Sequence, residues 1–148
     1  MTTLVNGILG YPLKKPRSIG IWQAYFKKKR LDAIMKKFEV KPLALNNFFT
    51  TIKNMDEFKA TAVTMPYKIK VIKYMQGLDP YAQKAKSVNL IIKKNKKLFG
   101  FNTDVYGAYE SVKKIIPNYK LIVIIGLGGT GSAIFNFLKK KKKTNKFL

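Results

Sequence analysis

The chain contains no cysteine and no histidine. The first absence excludes disulfides, thiolate nucleophiles and cysteine-based zinc sites. The second removes imidazole acid–base chemistry and histidine-ligated metals, so no metal site is expected. Carboxylates are scarce: only Asp32, Glu39, Asp56, Glu57, Asp79, Asp104 and Glu110 can supply one. Proton transfer must therefore fall to lysine, tyrosine or one of these acids. No apolar run reaches the roughly 18 residues that span a bilayer. The opening Met-Thr-Thr-Leu-Val-Asn-Gly has no basic segment followed by an apolar one, so no secretory signal is evident. A cytoplasmic protein is expected.

What is present fits one ordinary domain, or a small domain with part of a second. The chain has 148 residues, 47% of them hydrophobic, enough to bury a core. Thirty lysines and arginines give a net charge of +23. Such a value points first to nucleic acid or an anionic surface. The basic residues are scattered over every segment, however, and show no motif of known docking geometry. With abundant Lys, Ile, Asn and Phe, they read as the coding bias of an AT-rich genome, with some attraction for anionic ligands. A nucleic-acid binder would present exposed aromatics on a cationic face, whereas Trp22, Tyr25 and Phe26 fall at core spacing. Neither a specific nucleic acid nor a membrane is expected as a partner.

The stretch 62–68, Ala-Val-Thr-Met-Pro-Tyr-Lys, organises the rest. Ala60, Ala62, Val63 and Met65 suit a strand covered on both faces, spanning 58–65. Pro66 fits the first helical position, because its φ is fixed and it lacks an N–H. Apolar residues at helical spacing then predict a helix over 67–75. Thr64 and Lys68 would sit at the strand's carboxyl end and in the helix's first turn. Ligands bind at that edge of open α/β sheets. The positive end of a helix dipole opposes an ammonium there and suits it to proton transfer. Taken alone, Lys68 also reads as a solvated charge and Thr64 as a cap.

Taken in order, 4–9 is a first strand and Gly10-Tyr-Pro-Leu a turn, followed by a basic loop. Ser18 is expected to cap a helix carrying Ile21, Trp22, Tyr25 and Phe26 inward. The segment 31–40 is ambiguous, with a second strand as one reading. Asn46 or Asn47 is expected to cap a helix with Phe48, Phe49 and Ile52 on one side. A turn and short helical stretch over 78–87 lead to a β-hairpin closed by a tight turn at 93–97. A helix is predicted over 105–116, broken by Pro117 and Asn118. The apolar strand 121–125 then runs into Gly126, Gly128, Gly129, Thr130 and Gly131, and into a helix over 132–138. A glycine-rich turn between strand and helix presents backbone N–H groups and a helix N-terminus to a phosphate. Its plain alternative is a strand–turn–helix corner with a close contact. The end is unusual: five lysines at 139–143, then Thr-Asn-Lys-Phe-Leu. A dinucleotide fold needs further strands. Truncation is therefore expected, with a frameshift in an adenine run after Leu138.

Four segments in this order resemble the shikimate dehydrogenase family, over nearly all of 7–138. They are Gly10-Tyr-Pro-Leu with Ser18, then Val63-Thr-Met-Pro-Tyr-Lys68. Ser87-Val-Asn89 with Gly100-Phe-Asn-Thr-Asp104 follows, and the glycine turn comes last. The resemblance implies an α/β fold with an N-terminal open α/β substrate domain (1–104) and a linker helix (105–118). The first β-Gly loop-α unit of a Rossmann-type NADP-binding domain (119–148) would follow. It implies NADPH-dependent reduction of 3-dehydroshikimate to shikimate, with Lys68 and Asp104 as the catalytic pair. Thr64 and Asn89 would hydrogen-bond the substrate ring hydroxyls, and Ser18 its carboxylate. Gly126, Gly128, Gly129, Thr130 and Gly131 would cradle the cofactor pyrophosphate.

The first loop departs from the family pattern. Pro16 stands where the family has a serine, Lys15 where it has a histidine, and Ile19 where it has a proline. Lys15 and Arg17 are then candidates to bind a carboxylate by charge-assisted hydrogen bonds. Ala62 stands in place of an asparagine. A quinate or other hydroxy-acid dehydrogenase, and a non-catalytic shikimate-like ligand-binding fragment, are the alternative readings.

Overall fold

The computed structural model describes residues 2–115, 118, 121–126 and 128–141. Predictions on 116, 117, 127 and 142–148, including the helix break at Pro117 and most of the terminal lysine-rich tail, lie outside the described residues. Strand β1 (Leu4–Gly10) is followed by helix α1 (Ser18–Lys28) and strand β2 (Ala33–Glu39). A 3-10 turn at Pro42–Ala44, helix α2 (Leu45–Asn54) and strand β3 (Phe58–Val63) come next. A second 3-10 segment, Lys70–Tyr74, leads to the short β4 (Gly77–Leu78) and helix α3 (Pro80–Ala85). The hairpin β5 (Leu90–Lys94) and β6 (Lys97–Phe101) precedes helices α4 (Asp104–Ile115) and α5 (Gly129–Lys141). The architecture is the mixed α/β one expected.

One sheet of six strands runs in the order β2-β1-β3-β5-β6-β4. Its first three strands are parallel, because α1 and α2 carry the chain back between them. The hairpin adds β5 antiparallel to β3, and β4 closes the far edge. The hairpin turn is tight as predicted: Asn95 and Lys96 both have positive φ, +50° and +59°, as a two-residue primed turn demands.

The core lies where α2 and the loop after β3 cover the sheet. Leu9, Phe49, Phe58, Tyr67, Val71, Val88, Ile91 and Leu98 are almost wholly buried. Aromatic rings run through it, with Phe49 stacked on Tyr74 at 4.1 Å between centroids.

Several local expectations are corrected. Of the α1 stripe only Phe26 is buried; Ile21, Trp22 and Tyr25 are exposed. The helix packs mainly on β2, the edge strand, so only a narrow stripe is covered. Trp22 and Tyr25 pack edge-to-face on each other instead, at 5.5 Å. Ser18 begins α1 rather than capping it, and Asn46 and Asn47 lie inside α2. Strand β3 ends at Val63, and 67–75 is no α-helix. The Lys68 carbonyl, which an α-helix would give to the N–H of Ile72, accepts instead from the N–H of Val88 at 2.7 Å. The Ile72 N–H turns to Ile69, and the chain tightens into 3-10 form. Residues 121–126 form no strand, because no ladder partner lies beside them among the described residues. Val123 and Ile125 are strongly exposed there. Helix α5 starts at Gly129, inside the glycine turn rather than after it. Among the described residues no helix is long and apolar enough to cross a membrane.

Candidate active site

Two backbone-anchored loops bring the central side chains together. The loop after β3 is held by the Thr64 N–H donating to Leu9 at 2.9 Å and the Tyr11 N–H donating to Met65 at 3.2 Å. Gly10 makes this approach possible. A Cβ there would stand 2.6 Å from Thr64 Cγ2 and 3.0 Å from the Met65 carbonyl oxygen. Tyr67, fully buried, donates its hydroxyl to the Val40 carbonyl and fixes the residue beside Lys68. Burial, with a smaller contribution from Tyr11, pushes the Tyr67 phenol above its ordinary value. Lys68 does not sit in the first turn of a helix of its own, since the 3-10 segment begins only at Lys70. Its ammonium is set by side chains instead.

The second loop, 101–104, is built on Asn102, which is 2% exposed. Its Oδ1 accepts from the N–H groups of Asp104 (3.2 Å) and Val105 (3.4 Å), satisfying the open start of α4. Its Nδ2 donates to the Ser87 carbonyl at 2.9 Å. Its own N–H donates to Asp79 Oδ1 at 3.1 Å, the oxygen that also caps α3 through Ala82 at 2.8 Å. Sequence reasoning missed Asn102 and Asp79 as supports. The signals were there: a polar Asn-Thr-Asp run before a helix and an Asp-Pro pair starting one.

At the centre, Lys68 Nζ lies 2.6 Å from Asp104 Oδ2. Asp104 Oδ1 accepts from Asn89 Nδ2 at 2.7 Å. Asn89 is held in turn by Thr103, donating to its Oγ1 at 2.8 Å and accepting from its N–H at 2.9 Å. The Lys68 and Asp104 side chains are 20% and 27% exposed, so the pair is partly desolvated yet open to a ligand. Thr130 joins it, with Oγ1 3.0 Å from Lys68 Nζ and 3.4 Å from Asp104 Oδ2. The Lys68–Asp104 pair, Asn89 and Thr130, given three different roles from the sequence, thus form one hydrogen-bonded cluster. Thr64 lies on the same loop as Lys68, partly buried.

The first loop stands apart from this cluster. Among the described residues no hydrogen bond or ion pair joins Lys15 or Arg17 to it; both are exposed. The Ser18 hydroxyl is buried without a hydrogen-bond partner among the described residues. The loop is pinned by the Leu13 N–H, which donates to Glu39 Oε1 at 2.8 Å. The Lys37 ammonium, 2.6 Å from Glu39 Oε2, and then that N–H hold the Glu39 carboxyl below the usual value. The glycine turn fits a phosphate cradle. Gly126 has φ +90°, and a Cβ at Gly131 would lie 2.0 Å from the Gly126 carbonyl oxygen. Gly128 is open on its outer side, before the N-terminus of α5.

The class follows from the fold: a mixed α/β protein whose sheet carries a lysine–carboxylate pair beside a Rossmann-type glycine turn. Residues 8–91 match the family model described as the shikimate dehydrogenase substrate binding domain. The chain belongs to the shikimate dehydrogenase family. It is similar to the shikimate dehydrogenase (NADP(+)) of Pyrococcus furiosus, 37% identical over 139 residues, covering 93% of this chain and 51% of that protein. A shikimate dehydrogenase crystallised with NADP+ superposes with a TM-score of 0.83 at 34% identity, over 89% of this chain and 46% of the other. A ligand-free 5-ketofructose reductase from a Gluconobacter strain superposes with a TM-score of 0.82 at 27% identity, over 93% of this chain and 50% of the other. The chain thus spans about half the length of the relatives it matches.

Proposed function

We propose that this chain carries the substrate side and the start of the cofactor side of an NADP-dependent shikimate dehydrogenase. The reaction is reduction of the 3-dehydroshikimate ketone to shikimate, in the cytoplasm. The observation that carries this reading is the Lys68–Asp104 contact at 2.6 Å, built from two loops and braced by Asn89. Asp104 holds the ammonium and offers its carboxylate to a substrate hydroxyl. Lys68 polarises the ketone and gives a proton to the developing alkoxide. Asn89 and Thr64 orient the ring hydroxyls. The cofactor, when bound, supplies the hydride. Gly126, Gly128, Gly129 and Gly131, with the N-terminus of α5, would hold its pyrophosphate. The close Gly131–Gly126 approach, which any Cβ would block, supports that assignment.

The same reading divides the chain into a substrate domain at 1–104, a linker at 105–118 that takes in α4 as far as Ile115, and a partial cofactor domain at 119–148. The family model ending at residue 91 and α4 opening at Asp104 support the first boundary. Ser18, Lys15 and Arg17 are assigned to the substrate carboxylate. For Ser18, a buried hydroxyl with no partner among the described residues supports this, since its proton is left to donate.

The test is dehydroshikimate-dependent oxidation of NADPH by the purified chain, with calorimetric titration of shikimate alongside. Turnover lost in Lys68→Ala supports the enzyme. Saturable shikimate binding without turnover, weakened in Thr64→Ala, supports the ligand-binding reading. Neither activity nor binding overturns both. A related polyhydroxy ketone is the second substrate to try. The likeness to a 5-ketofructose reductase and the altered loop at Lys15 and Pro16 both favour including it.

A further inference from the structure

We propose that Thr130 is a positioning residue for Lys68, tying the glycine turn to the proton-transfer pair. The inference rests on Lys68 and Asp104 being that pair. Thr130 opens α5, 62 residues from Lys68 in the chain, yet its hydroxyl oxygen is 3.0 Å from the ammonium. An ammonium carries three protons in tetrahedral directions. Asp104 Oδ2 takes one, at 2.6 Å, and Thr130 Oγ1 takes a second. With two directions fixed, the third is fixed as well, and it is the one left for a carbonyl oxygen. With Asp104 alone, two protons of the ammonium would be left unassigned and a carbonyl oxygen could approach either. The hydroxyl's own hydrogen points toward Asp104 Oδ2, 3.4 Å away, which keeps its lone pairs toward Lys68.

The threonine is delivered by a rigid element. Ala133, one turn along α5, is 1% exposed and packs with Ala85 of α3 and Val105 of α4. Farther along the helix, Phe137 meets Tyr81 at 5.7 Å between ring centroids. The hydroxyl therefore stands where the helix packing puts it, and the turn that would cradle phosphate shares a hydrogen bond with the proton donor.

The test reads Lys68 directly and needs no turnover. Lysines of the full chain are labelled with trinitrobenzenesulfonate at one mildly alkaline pH, and the Lys68 peptide is quantified by mass spectrometry against the other lysine peptides. Only the neutral amine reacts, so losing a partner of the ammonium speeds labelling. Thr130→Val is expected to speed it about fivefold at Lys68 alone, and Thr130→Ser to restore the parental rate. Thr130 is exposed, so both variants are expected to fold, and the unchanged rates at other lysines check this. A parental rate in Thr130→Val while Asp104→Asn speeds labelling would overturn the proposal. Equal acceleration in the valine and serine variants would also overturn it, since a displaced helix and not the hydroxyl would be responsible. No change in Asp104→Asn would remove the ion pair itself, and the proposed function with it.

Discussion

At the residue scale, Asp104 has both oxygens committed, one to Lys68 and one to Asn89. Asp104→Asn keeps the shape but removes the charge that holds the ammonium. Shikimate affinity is expected to fall about tenfold to a hundredfold, the loss of a charge-assisted hydrogen bond, as read by calorimetry. An unchanged affinity would mean the carboxylate does not face the ligand. Asn102 is the supporting counterpart. Asn102→Ala would leave the Asp104 and Val105 N–H groups and the Ser87 carbonyl without their partner. The expected cost is about 2 to 4 kcal/mol of stability, measured by denaturant unfolding. Lys68, Asp104 and Asn89 were legible through the ordered motifs that carry the family resemblance, and for the Lys68–Asp104 pair the absence of histidine and cysteine agrees with it. Asn102 was not, because its role depends on a buried link to Ser87 that no local pattern predicts.

At the element scale, the hairpin offers the cleanest prediction. Asn95 and Lys96 both occupy positive φ, and a Cβ at the second position is strained there. Lys96→Gly creates the Asn-Gly pair that suits such a turn best. A gain of up to about 1 kcal/mol is expected, net of glycine's greater unfolded entropy, as a raised denaturant midpoint. A loss would show that the lysine side chain packs productively on the hairpin. The hairpin itself was readable from strand-like runs flanking a short polar turn. The 67–75 helix was misread for the opposite reason. Its apolar spacing is helical, but a tertiary bond from Val88 captures the Lys68 carbonyl and outweighs local propensity. The α1 stripe failed differently: spacing shows that Ile21, Trp22, Tyr25 and Phe26 share a face, not how wide a surface the fold supplies to cover them.

At the scale of the whole molecule, pH limits stability from both sides. The Glu39 carboxyl sits below its ordinary value, so between its folded and unfolded values the unfolded chain binds more protons. Its contribution is full above the ordinary carboxylate value and is lost as pH falls through the lower folded one. Glu39→Gln is expected to flatten the acid limb of a plot of melting temperature against pH. Its exposure to solvent keeps the effect small. Tyr67 acts at the other end, since its phenol is raised by burial. Stability is full below the ordinary tyrosine value of about 10 and falls as pH climbs toward the raised folded one.

Between those limits charge repulsion dominates. The net charge is +23, and the described residues hold only two ion pairs, Lys37–Glu39 and Lys68–Asp104. Most ammonium groups therefore face other cations more often than anions, and the compact state concentrates them. Raising ionic strength from about 0.01 M to about 0.15 M shortens the screening length from about 30 Å to about 8 Å. Distant repulsions are then screened, while the Lys68–Asp104 contact at 2.6 Å is too short to be. The melting temperature at neutral pH is expected to rise with salt, most steeply at the low end, and equally for chloride salts of sodium and potassium. If it falls instead, short-range pairs outweigh the scattered repulsion and the lysines are arranged rather than incidental. A rise seen only with phosphate or sulfate would point to anion capture, the role proposed above for the glycine turn at the N-terminus of α5. Gly131→Ala separates the two, because it blocks the turn without altering net charge: screening would survive it and anion capture would not.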